Sequence, residues 1–118
     1  MCAMLAHCRG KGDSALIGDK SHIYNYERGG LAAIGSIMPW VLRNLPDGTF
    51  DLNEVRAAIP PPTEHIAQPQ VICVENSQGG LMGATVDLDF VKKLKKIAKK
   101  SKLKMHLDGA RLLNALVE

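Results

Sequence analysis

At 118 residues and a formal net charge of +3, the chain is long enough for one domain or for part of a larger one. Its 46% hydrophobic and 23% charged residues exclude a disordered chain, and the charge is too small to imply nucleic acid by itself. No run of about 18 apolar residues exists, which removes a membrane-spanning helix from consideration. Cys2, Cys8 and Cys73 contain no CxxC pair, so neither a disulfide framework nor a zinc site is expected, and a reducing compartment fits better. The first residues lack a basic segment and a clean small-residue cleavage site, so no secretory signal is expected and cytoplasm is the default location. With few aromatic residues, the core must be mostly aliphatic.

In chain order, Met1 to Cys8 reads as the last turns of a helix, stopped by Gly10 and Gly12. Ala15-Leu-Ile17, closed by Gly18, is a short strand. Asp19 to Tyr24 is polar and loop-like. Residues 31–38 pass from helix into strand at a boundary the sequence does not place. Leu45-Pro-Asp-Gly48 is a turn. Asp51 is a good N-cap for a helix from Leu52 to Ile59, and Glu54 completes a capping-box pattern. Pro60-Pro-Pro62 stops that helix.

Val71-Ile-Cys-Val74 is a continuous apolar run, the signature of a strand buried on both faces. Val91, Leu94, Ile97 and Ala98 mark one face of a helix over residues 87–101, with Asp87 or Asp89 as cap. Lys104 to Asp108 is a second buried-strand candidate, ended by Gly109. Arg111 to Glu118 reads as a helix still in progress. Both ends of the chain therefore suggest a piece of something longer.

Strand, helix of 12–15 residues, strand is a βαβ unit, so the expected class is α/β with a mostly parallel sheet and flanking helices. Ligands in such sheets sit beyond the carboxyl ends of the strands. That directs attention to Glu75–Gln78 and to Asp108–Arg111.

Asp108-Gly-Ala-Arg111 places a carboxylate at a strand end, followed by glycine and a helix start. That arrangement suits a cofactor, or equally a cap on the next helix. His106 and Asp108 share a strand face. His22 lies in the polar stretch after the first strand, where an incidental loop histidine is the plainer reading. Glu75-Asn-Ser-Gln78 is followed by Gly79 and Gly80, which permit a turn or a close approach of backbone to ligand. An ordinary strand-to-loop turn explains it as well. Eight of the 15 basic residues fall in Lys92–Lys104. They are most simply the solvated side of the amphipathic helix. An anion- or nucleic-acid-binding surface is the alternative, weakened by the lack of interleaved aromatics. Cys73 reads as an inert buried thiol, and His7 and His65 have no evident partners. No GxGxxG, Walker A or GxSxG pattern is present.

The motifs Leu5-Ala-His-Cys8, Gly18-Asp-Lys-Ser-His-Ile-Tyr24, Glu27-Arg-Gly-Gly30, Pro46-Asp-Gly-Thr-Phe-Asp-Leu52, Ile72-Cys-Val-Glu-Asn76 and His106-Leu-Asp-Gly-Ala-Arg111 occur in one order along the chain. In that set the chain resembles the low-specificity L-threonine aldolases of the β-eliminating lyase/threonine aldolase group. The resemblance implies a pyridoxal 5′-phosphate (PLP) cofactor and an aspartate aminotransferase-like fold. It further implies that residues 1–118 are a single partial domain, the interior part of the PLP-binding large domain. His22 matches the histidine against the cofactor ring, Asp108 the aspartate paired with the ring nitrogen, and Arg111 the arginine near the phenolic oxygen. Gln78 stands where the family has a histidine in the substrate pocket, in Glu75-Asn-Ser-Gln78 rather than Glu-Asn-Thr-His. No metal is implied.

The implied reaction is retro-aldol cleavage of L-threonine or L-allo-threonine, a small β-hydroxy amino acid, to glycine and acetaldehyde. The implied assembly is a homotetramer, with no nucleic-acid or membrane partner. The family's Schiff-base lysine lies in a Ser-Lys-Gly context that this sequence lacks. The phosphate-binding turn and the C-terminal domain are also unmatched. The expectation is a part of an aldolase, inactive by itself. The alternative is a non-catalytic short product that docks onto full-length subunits.

Overall fold

A computed structural model describes residues 2–9 and 12–117. Four parallel strands form one sheet: β1 (Asp13–Gly18), β2 (Met38–Leu42), β3 (Gln68–Glu75) and β4 (Lys104–Asp108), in the spatial order β2-β1-β3-β4. The helices are α1 (Cys2–His7), α2 (His22–Asn25), α3 (Gly30–Ala33), α4 (Leu52–Ala57), α5 (Leu88–Lys100) and α6 (Leu112–Ala115). The chain steps from β1 outward to β2, then crosses back over β1 to β3. The direction of winding therefore reverses between β1 and β3, the place where open α/β sheets open a crevice for ligands.

The two faces of the sheet follow from the two-residue period of the strands. Leu16, Ile72 and Val74 face α4 and α5 and join Leu42, Phe50, Val55, Leu94 and Ala98 in the larger core. Ala15, Ile17, Val71 and Cys73 face the other way and pack with Met4, Cys8, Leu31 and Ile37. By the same alternation Glu75 and Asp108, the last residues of β3 and β4, lie on the second face. α5 earns its place through Leu94 and Ala98, both buried, while its lysines are exposed. Asp87 caps it, accepting from Asp89 N at 3.0 Å and Phe90 N at 3.3 Å. Of the two cap candidates, Asp87 is the one used.

Several expectations are corrected. β2 is a full strand containing Pro39, on the sheet edge, where a missing N–H is tolerated. β3 begins before its apolar run and passes through Pro69, beside a register shift opposite Ser14 and Ala15 that absorbs the lost donor. β4 is not buried on both faces: it is the other edge of this sheet, and Leu107 is 48% exposed.

His22 opens a four-residue helix rather than lying in a loop. α4 stops at Ala57, two residues short of expectation. Its capping box does not close, because the Asp51 side chain accepts from Asn53 N at 2.7 Å while Glu54 Oε1 accepts from Arg43 N at 3.4 Å. α6 ends at Ala115 with Leu116 as its C-cap, so the helix expected to continue through Glu118 is short. Met1, the Gly10 helix stop and Glu118 lie outside the described residues.

Candidate active site

Three loops leave the carboxyl ends of β1, β3 and β4 and meet over the β1/β3 switch point. The β1 loop is pinned to the end of β2. Asp19 N donates to Leu42 O at 2.8 Å, and Asn44 N donates to Asp19 Oδ1 at 2.8 Å. Asn44 Oδ1 accepts from Lys20 N at 3.0 Å, and its amide donates to Gly48 O at 3.1 Å. Ser21 Oγ turns back to Gly18 O at 2.6 Å. Each bond satisfies a backbone group that would otherwise be orphaned at a strand end. Together they deliver His22 at a fixed point.

Glu75 joins the three loops. Its Oε2 accepts from His22 N at 2.8 Å, its Oε1 accepts from Gly79 N at 2.8 Å, and Arg111 Nη1 lies 3.7 Å from Oε1. The Glu75 side chain is 6% exposed, against 51% for Arg111. Glycine is required at two positions here. A Cβ at Gly79 would run into the Arg111 guanidinium, and one at Gly80 would strike the Lys20 carbonyl. Asn76 N donates to Asp108 O at 3.0 Å, which ties the β3 and β4 exits together.

The result is a cleft of about 300 Å³ lined by His22, Glu75, Ser77, Asp108, Ala110 and Arg111. A second hollow of about 270 Å³ shares His22, Glu75 and Arg111 and extends to Tyr26, Gly79 and Gly80. The His22 ring lies 5.2 Å from the Tyr26 ring, and its Nδ1 is 3.4 Å from Glu27 Oε1. Asp108 Oδ1 accepts from Ala110 N at 3.2 Å, and among the described residues Oδ2 accepts no hydrogen bond. The cap position of α6 belongs to Arg111, so Asp108 is not the helix cap of the alternative reading.

The structure thus brings His22, Asp108 and Arg111 to one cleft. Gln78 is placed differently. Its neighbour Ser77 lines the cleft, while Gln78 is 1% exposed, pairs through its backbone with Ala84, and carries an Oε1 with no partner among the described residues. Glu75 was singled out as a strand-end position and within a family motif, but without this role. Asn44 escaped the sequence reading, because the partners of its side chain are backbone groups brought by folding.

The remaining candidates sort themselves. Burial pushes the Cys73 thiol up to about 12, consistent with an inert thiol packed 3.2 Å from the Met4 sulfur. His7 does have a neighbour, the His106 ring at 6.5 Å. Burial lowers the pKa of His106, opposed by the charge of Asp108 and reinforced by His7. No group of three or more metal-ligating side chains occurs among the described residues.

The cleft at the carboxyl ends of this open parallel sheet thus gathers an acidic, a basic and an imidazole side chain. All of residues 1–118 match the Beta-eliminating lyase family, and the chain belongs to it. It is 36% identical over 119 residues to the low-specificity L-threonine aldolase 1 of Arabidopsis thaliana, and 32% identical over 117 residues to the low specificity L-threonine aldolase of Escherichia coli K12. Each alignment takes in 99% of this chain but only 33% and 34% of the relative, so the chain spans about a third of the length of those proteins.

The solved threonine aldolase of Leishmania major superposes with a TM-score of 0.85 over 97% of this chain and 32% of its own, at 23% identity. An alanine aminotransferase of Pyrococcus furiosus superposes at 0.67 over 88% of this chain and 24% of its own. These two likenesses establish the aminotransferase-like fold. Threonine aldolases are lyases, and beta-eliminating lyases and aminotransferases depend on PLP.

Proposed function

We propose that this chain is the cofactor-ring-holding part of a PLP-dependent aldolase that cleaves L-threonine or L-allo-threonine to glycine and acetaldehyde. The convergence of His22, Asp108 and Arg111 on one cleft is the observation that carries the reading. The donor set fits the cofactor. Asp108 offers a carboxylate oxygen that accepts no hydrogen bond among the described residues, Arg111 a half-exposed guanidinium, and His22 a flat ring whose Nδ1 lies 3.4 Å from Glu27 Oε1. The cleft is at the lower end of the size range of ligand pockets, about 300–1,000 Å³.

When bound, PLP supplies an electron sink for the pair released as a bond at the amino-acid α-carbon breaks. Asp108 Oδ2 would hold the proton on the ring nitrogen, since an adjacent carboxylate favours the cationic form. Arg111 would stabilise the phenolic oxygen through charge-assisted hydrogen bonds. His22 would lie against the ring and set its tilt. Gln78 stands at the family's substrate-pocket position but is buried beside the cleft rather than lining it, and its amide cannot take a proton near neutral pH. The β-hydroxyl proton must then go to another base, and substrate choice should differ from that of relatives with histidine there. A homotetrameric assembly in the cytoplasm belongs to the same reading.

Acetaldehyde release tests it. The protein from its native source, supplied with PLP and L-threonine or L-allo-threonine, should release acetaldehyde and glycine in equal amounts. Residues 1–118 alone contain no lysine in a Ser-Lys-Gly context and should release none. Pyruvate from another amino acid, with no acetaldehyde, would instead make the protein an eliminating lyase of different substrate.

A further inference from the structure

We infer that Glu75 is a positioning residue that engages Arg111 and the His22 backbone so that the Asp108 carboxylate stays open to a cationic ring nitrogen. The inference rests on the role proposed for Asp108. Glu75 and Asp108 are register partners on adjacent strands and lie on the same face of the sheet. One guanidinium, that of Arg111, stands beside them. Left to choose, a guanidinium pairs with whichever carboxylate offers the better geometry, and a paired Asp108 would be spent before any ligand arrived.

The structure resolves the choice in favour of Glu75. Arg111 Nη1 is 3.7 Å from Glu75 Oε1, and among the described residues no ion pair joins Arg111 to Asp108. Glu75 cannot turn away, because each of its oxygens accepts a backbone N–H, from His22 on one side and Gly79 on the other, at 2.8 Å. Arg111 is also seated over Gly79, where any side chain would displace it. The three contacts come from three different loops. The buried carboxylate therefore ties the His22 backbone to the Arg111 guanidinium and engages that guanidinium in place of Asp108.

Two experiments on this chain decide the matter. The first compares side-chain carboxyl ¹³C resonances at one neutral pH in wild type and in Arg111→Ala, a change at a half-exposed side chain that leaves Glu75 and its backbone bonds in place. The Glu75 carboxyl resonance should move more than that of Asp108. A change at Asp108 equal to or larger than that at Glu75 would overturn the inference.

The second uses 4′-deoxypyridoxine 5′-phosphate, which has no aldehyde and cannot react with lysines. Glu75→Gln should weaken its binding roughly tenfold or more, as loss of a charged hydrogen-bond partner does. Added to Arg111→Ala, Glu75→Gln should cost less than it does alone, because the two act as one unit. Full additivity would contradict the inference. If the wild type does not bind the probe and Asp108→Ala makes no difference, the cofactor reading fails, and the carboxyl resonance comparison still decides which carboxylate holds Arg111.

Discussion

On the face covered by α4 and α5, side chains from three strands and two helices close into an aliphatic core, and Asp51 and Asp87 satisfy the helix starts locally. On the opposite face β1 and β3 bury Ala15, Ile17, Val71 and Cys73, His106 of β4 lies level with Cys73, and Glu75 and Asp108 stand at the carboxyl end. The first face contributes stability and little else. The second trades part of its apolar area for acids, imidazoles and a guanidinium held in place by loop backbone. Polar groups cost free energy to bury unless they are paired, so the strand ends that carry the site need bonds such as those of Asn44 and Glu75.

The contrast can be broken first at Leu94, which is fully buried in the α4–α5 core. Leu94→Ala should cost about 2–5 kcal/mol, read from urea unfolding, and should leave the pattern of site contacts intact in whatever fraction is folded. At the β1 loop that carries His22, Asn44→Ala removes the acceptor for Lys20 N and the donor to Gly48 O. Leaving the buried Gly48 carbonyl unsatisfied should cost about 1–3 kcal/mol. It should also loosen the loop that carries His22, seen as faster amide exchange at Lys20 to His22. A global loss with no local change in exchange would show that the loop is held by other means.

Asp87→Ala, which deletes a helix cap and touches nothing at the site, should cost about 1 kcal/mol. A smaller effect is the pH response of His106. Burial lowers its pKa in the fold, so the unfolded chain binds its proton more readily. Its contribution to stability is complete above the ordinary histidine value of about 6.5 and is lost as pH falls through the lowered folded value. His106→Asn should flatten the stability profile in that acidic window only. Smallest of all, Lys96→Ala on the exposed side of α5 should stay within about 0.5 kcal/mol.

How far the sequence could be read divides along the same line. The α4–α5 face was legible because its signals are local. Val71–Val74 is an apolar run, Leu94 and Ala98 are a helical pair, and Asp87 is a cap. The strand β2 was hidden because Pro39 breaks the expected strand composition, and only its edge position excuses the missing donor. The capping box failed because Arg43 N, distant in sequence, competes for Glu54.

At the site, His22, Asp108 and Arg111 were nameable from motifs, and their meeting in one cleft is a product of the switch in strand order. Glu75 was nameable as a position but not in its role, and Asn44 was not nameable. What they do depends on N–H groups of His22, Gly79 and Lys20, and no side-chain pattern announces a backbone partner.

The most direct test of the central claim, that this cleft holds the cofactor ring, is an amide and side-chain NMR titration of the chain with 4′-deoxypyridoxine 5′-phosphate. The account predicts saturable shifts at His22, Glu75, Asp108 and Arg111, lost in Asp108→Ala and absent along α5. Saturable shifts confined to the lysines of α5, or unchanged binding in Asp108→Ala, would contradict it.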